Sequence, residues 1–125
     1  MATVITNIGK GVYNNRLKNG ATGATEPNYV AWGTGTGAVI TGTALSTAAA
    51  EARVAGTSSL VTTTTTNDTY QVVGTLTVAG AGKTISEVGL FDASTSGNLF
   101  LWADFTGIAL DIGESIQFTL KTQLT

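Results

Sequence analysis

From residue 57 onward the chain is built from short runs of β-branched and aromatic residues, each closed by a cluster of Gly, Asn, Asp or Ser. That punctuation admits little besides antiparallel β-structure. Residues 58–66 form a β-branched run, Asn67-Asp68 is a turn, and residues 69–79 answer with Tyr70, Val72, Leu76 and Val78, which predicts a long hairpin. Gly80-Ala81-Gly82 turns the chain again. Residues 84–91 give the next strand, with Ile85, Val88 and Leu90 as its apolar points, and Ser94-Thr95-Ser96-Gly97 closes a second hairpin. Residues 98–105 are apolar on both faces through Leu99-Phe100-Leu101-Trp102, the pattern of a central strand buried on two sides. After residues 108–110 and an Asp111-Ile112-Gly113-Glu114 turn, residues 115–124 alternate. Ile116, Phe118, Leu120 and Leu124 point one way, and Gln117, Thr119, Lys121 and Gln123 the other, so one face is core and one is wet. Strands recurring at roughly 8–12-residue intervals predict an all-β fold: an antiparallel β-sandwich, jelly roll or barrel.

The first half is less regular. Ile8, Val12 and Leu17 follow a loose helical spacing over residues 6–18, with Thr6 or Asn7 as cap and Asn19-Gly20 as stop. Gly9 and Gly11 weaken such a helix by about 1 kcal/mol each, so an extended arm is the alternative. Residues 1–20 are therefore read as an N-terminal arm or short helix, and residues 21–125 as a single β-sandwich domain. Within the latter, residues 21–27 are a loop, and Tyr29-Val30-Ala31-Trp32 is a strand running into Gly33-Thr34-Gly35-Thr36-Gly37. The alanine-rich stretch 44–52 predicts a helical turn or two. At 125 residues the chain has room for one core.

Composition removes most chemistry. There is no Cys and no His, hence no disulfide, thiolate nucleophile, imidazole base or common zinc site. Charged residues make up 11% of the chain, against roughly 25% in a typical soluble domain. A surface so poor in charge is expected to be partly covered by partners. A formal charge of −2 gives no footprint for nucleic acid, and with neither a signal peptide nor a long apolar run the expectation is a protein made in the cytoplasm with no membrane partner.

Individual motifs point the same way. Gly33, Gly35 and Gly37 match no nucleotide-binding fingerprint. Residues 92–97 have calcium-loop offsets, but Ala103 stands where the closing Glu belongs, so a hairpin turn is expected. Glu87 and Asp104 are placed on the wet faces of strands, with no activating base or nucleophile beside them. The reading is therefore no enzyme, no catalytic residue, no cofactor and no metal, with Glu87 or Asp104 offered as a partner for Arg53 across subunits. Tyr29, Trp32, Trp102 and Phe105 are read as core aromatics, with a carbohydrate platform as the alternative. The Thr62–Thr66 run reads as an uncharged edge strand, making Thr62 and Thr64 candidate subunit contacts. Asn67-Asp68-Thr69 has the glycosylation pattern but is read as a turn.

Four segments carry a family resemblance: Tyr29-Val30-Ala31-Trp32-Gly33-Thr34-Gly35, Glu51-Ala52-Arg53-Val54-Ala55-Gly56-Thr57, Thr84-Ile85-Ser86-Glu87-Val88-Gly89-Leu90-Phe91-Asp92 and Gly113-Glu114-Ser115-Ile116-Gln117-Phe118. Together the chain resembles small virion structural proteins of tailed bacteriophages, and the Glu-Val-Gly-Leu-Phe-Asp stretch also resembles tail-fibre and collar segments. The resemblance implies a β-sandwich subunit, often trimeric, that decorates a capsid or joins a tail appendage. A chain starting at Met1 without a shaft or heptad segment is read as favouring head decoration, binding the major capsid protein on the virion's capsid surface. The N-terminal segment, through Thr3, Ile5, Ile8, Tyr13 and Arg16, is then the expected contact, together with Arg53, Thr62 and Thr64. A tail-fibre or collar component is the second reading, and a carbohydrate-binding receptor module built on Trp32 and Trp102 the third.

Overall fold

The computed structural model describes residues 2–19 and 25–125. Strand β1 (Ala2–Ile5) leads into helix α1 (Asn7–Asn19), followed by β2 (Tyr29–Gly33), β3 (Val54–Ala55), β4 (Thr57–Val61), β5 (Thr69–Thr77), β6 (Lys83–Phe91), β7 (Leu99–Leu110) and β8 (Ser115–Gln123). All neighbouring strands pair antiparallel. They form a five-stranded sheet in the order β1-β7-β6-β2-β3 and a three-stranded sheet in the order β4-β5-β8. The β4–β5 and β6–β7 hairpins fall where the turn residues predict them. Residues 80–82 instead carry the chain from one sheet to the other, which makes the fold a sandwich.

Period-two alternation supplies the core. Val30 and Trp32 of β2, Val72 and Leu76 of β5, Val88 and Leu90 of β6, Leu101 and Ala103 of β7 and Leu120 of β8 share one buried cluster between the sheets. The Trp32 and Phe118 rings meet edge-on at 6.4 Å across it. A second cluster lies on the other face of the five-stranded sheet, where Ala31, Phe91, Leu99 and Trp102 are covered by Ala38 and Leu45. Strand β7 is therefore buried on both faces through Ala103, as its sequence predicts.

The N-terminal segment is both strand and helix. Strand β1 pairs with β7, from Ala2 opposite Asp104 to Ile5 opposite Leu101. The fully buried Thr6 then caps α1, its hydroxyl accepting from the Gly9 N–H at 2.9 Å and donating to the Leu99 carbonyl. Val12 enters the inter-sheet core, and Gly9 lies against the Phe100 carbonyl, where a Cβ would collide with backbone. The stop at Gly20, the loop residues 21–24 and the boundary after residue 20 lie outside the described residues.

Three expectations are corrected. The strand expected over residues 58–66 ends at Val61, and Thr62–Thr66 form a turn, because the Asp68 carboxylate takes the N–H groups of Thr63, Thr64 and Thr65. Residues 44–52 form no helix: Thr34 donates to the Thr47 carbonyl and Ala49 to the Trp32 carbonyl, so this stretch runs as an extended strap beside β2. Leu124 is not a core residue, since β8 ends at Gln123 and Leu124 is exposed.

The two helical glycines should respond oppositely to alanine. At Gly11 nothing lies within 4 Å of an added Cβ, so Gly11→Ala should raise stability by about 1 kcal/mol through helix propensity alone. Gly9→Ala should lower it, because the collision with Phe100 outweighs the same propensity gain. Urea denaturation of both variants measures the signs.

Candidate functional site

The side chain that organises the outer face of the five-stranded sheet is Glu87. In β6 it alternates with the inward Val88 and Leu90, and so points with Gly89 and Phe91 to the opposite face. A strap of residues 34–50 crosses that face. Glu87 is fully buried beneath it and accepts hydrogen bonds from the N–H groups of Gly35, Ser46 and Thr47, each at 2.8 Å, and from the Trp102 indole at 3.0 Å. The Ser86 hydroxyl adds a bond to the Gly35 carbonyl. Gly33 and Gly35 are demanded by this packing, since a Cβ on either would press on the Glu87 carboxylate and the strap.

Asp104 stands opposite Glu87 in the β6–β7 register and holds the next part of the strap, accepting from Gly37 and Ala38 and from the Ala2 N–H of β1. These donors hold its pKa below the ordinary carboxylate value, Ala38 contributing most. Glu51 closes the far end, accepting from the Trp32 indole at 3.0 Å, the Ala79 N–H at 3.0 Å and the Lys83 ammonium at 2.5 Å. Burial pushes the Glu51 pKa up, but Lys83 and the N–H donors together outweigh it and bring it down to about 2. Glu87 and Asp104 were expected on a wet face. Glu87 is instead fully buried, while Asp104 stays partly exposed, and the oxygens of both are engaged by fixed donors, an arrangement suited to clamping a strap.

The other residues singled out in the sequence separate into distinct places. Arg53 does not pair with Glu87 or Asp104 within the chain. Its guanidinium stacks 3.5 Å above the Phe91 ring and donates to the carbonyls of Ala93 and Ser96, bracing the β6–β7 turn. In that turn Asp92 accepts from the Asn98 backbone and side-chain amides, as a hairpin requires. Trp32 and Trp102 are both buried in the core clusters. Thr62 and Thr64 are exposed in the Asp68 turn, each engaged by a hydrogen bond within it or to Gln123. No group of three or more potential metal ligands occurs among the described residues.

Thr3, Ile5, Ile8, Tyr13 and Arg16 all lie on β1 and α1, where the structure adds two residues that sequence reading missed. The Asn7 N–H donates to the Ile40 carbonyl at 2.7 Å, tying the strap to the start of α1. Around that bond Ile5, Ile8, Val39 and Ile40 are all exposed, the last two by about half their surface. The only sequence signal for the strap residues is a Val-Ile pair inside a Gly/Thr-rich loop.

A family model described as podophage GP4 fiber I protein gp80 matches residues 5–122. No curated protein and no solved structure matches the chain.

Two outcomes test the clamp. Glu87→Gln places an amide where two N–H donors now point, and should destabilise the fold by about 2–5 kcal/mol in urea denaturation, with faster hydrogen exchange at Gly35, Ser46 and Thr47. Glu51 titrates lower when folded than its ordinary value of 4.5, so its contribution is complete above that pH and is lost as pH falls towards about 2. Urea midpoints measured from pH 6 to pH 2 should fall less steeply in Glu51→Gln than in the parent.

Proposed function

We propose that this chain, which belongs to the family of the podophage GP4 fiber I protein gp80, is a non-enzymatic subunit of a podophage tail fibre and acts by binding other protein subunits. It is a phage virion structural protein with an all-β sandwich fold. The observation that carries the fibre reading is the reach of the family match, residues 5–122, which takes in α1, both sheets and the strap. The carboxylates that hold the strap, Glu87, Asp104 and Glu51, support a role without chemistry, since each is engaged by donors of the fold itself. The exposed Ile5, Ile8, Val39 and Ile40 support one that depends on contact with partners.

In this reading the subunit assembles with its own copies, as a trimer, and with neighbouring tail proteins. Head decoration, with the major capsid protein as partner, needs the same sandwich, and the family match favours the fibre over it. A sugar platform on Trp32 and Trp102 has no support in the geometry, because both rings are buried. Cryo-electron microscopy of the intact particle should place this sandwich in the tail appendage. Density at capsid three-fold positions with a bare tail would overturn the fibre reading and restore head decoration.

A further inference from the structure

Charge is unevenly distributed along the sequence. Residues 1–19 hold Lys10, Arg16 and Lys18 and no acid, whereas the rest of the chain holds three basic and eight acidic residues. Helix α1 is fastened to one end of β7, through Thr6 on Leu99 and Gly9 on Phe100. The turn of residues 111–114 follows the other end, after Leu110. Twelve residues of strand separate the two by about 36 Å.

Each end exposes apolar surface beside its charge. On α1, Lys10, Tyr13 and Leu17 have the i, i+3, i+7 spacing of one stripe, turned away from the buried Val12, with Lys18 at its flank. Leu17 is 68% exposed. At the other end Ile112 is 65% exposed between the exposed Asp111 and Glu114. That turn is rigid: Glu114 donates its N–H to the Asp111 carbonyl, the Glu114 side chain accepts from the Asp111 N–H at 2.7 Å, and Val78 pairs with both Gly113 and Glu114. Gly113 supplies the positive φ of 85° that closes it.

We infer that the protein self-associates head to tail, the 111–114 knob of one copy seating on the α1 stripe of the next. Ile112 packs against Tyr13 and Leu17, while Asp111 and Glu114 face Lys10 and Lys18. A second copy is the occupant because one chain carries both halves of the match, acid-apolar-acid and base-apolar-base, on preformed elements that need no ordering to meet. The contact is heterologous, so it propagates along the long axis instead of closing as a pair. It is small and its ion pairs are exposed, which makes it weak and salt-sensitive. The inference goes beyond the fibre reading and holds wherever on the virion the chain resides.

Sedimentation velocity of the full chain over a concentration series tests it. The parent should associate with rising concentration, and about 0.5 M salt should weaken that association by roughly tenfold or more. Asp111→Lys/Glu114→Lys and Lys10→Glu/Lys18→Glu should each abolish it, and an equimolar mixture of the two should restore it, since each reversed end then meets its complement. Ile112→Ser, a change confined to an exposed turn, should weaken association without altering the melting curve. Absence of association in the parent, persistence in both charge-reversed variants, or failure of folded variants to recover on mixing would overturn the inference. So would salt-sensitive binding of the parent to anionic vesicles or DNA in place of self-association.

Discussion

Two carboxylates side by side on adjacent strands, the buried Glu87 and the partly exposed Asp104, would repel one another and destabilise a sheet if left without donors. In this protein the strap of residues 34–50 supplies the donors that make the pair tolerable: three backbone N–H groups for Glu87 and two for Asp104, with the Trp102 indole and the Ala2 N–H completing the set. The dependence is mutual. Without the carboxylates the strap has no regular secondary structure to satisfy its backbone, and without the strap a buried charge loses its partners, a change worth several kcal/mol. Much else hangs on this clamp, including the second apolar cluster around Trp102, the attachment of β1 through Ala2 and the position in which Val39 and Ile40 are displayed.

The N-terminal segment shows how a weak local signal becomes a firm structure. Gly9 and Gly11 argue against a helix, yet α1 forms because Thr6 caps it, Val12 reaches the inter-sheet core, and Gly9 permits the approach to Phe100 that a side chain would block. The glycine that lowers intrinsic helix propensity is the one that docking requires. The result is an element anchored on its inner side and free on its outer side, suited to meeting other subunits without rearranging the sandwich beneath it.

For a virion component this division is economical in physical terms. Glu87, the carboxylate with most donors, is held inside by the fold, and what remains outside is a surface rich in Thr, Ser, Gly and Ala, with a few charged and aliphatic residues exposed upon it. Small side chains lose little conformational entropy on association, so repeated modest contacts add up when many copies assemble.

The strand content, the hairpins at residues 67–68 and 94–97, the doubly buried β7 and the alternation of β8 were legible in the sequence, with the helix cap narrowed to Thr6 or Asn7, because each depends on periodicity and turn chemistry within about ten residues. The absence of Cys and His was equally plain. The destination of the carboxylates was not. Alternation places Glu87 on the face opposite Val88, but whether that face is wet depends on a strap 40 to 52 residues earlier in the chain. The same long-range pairing overrode helix propensity in residues 44–52, where Ser46 and Thr47 donate to Glu87 in place of a helical carbonyl. Local pattern determined most of the strands and which side of each its residues occupy. Only the tertiary structure decided what covers each side, since a buried charge takes its donors from whatever backbone the fold brings near, regardless of distance along the chain.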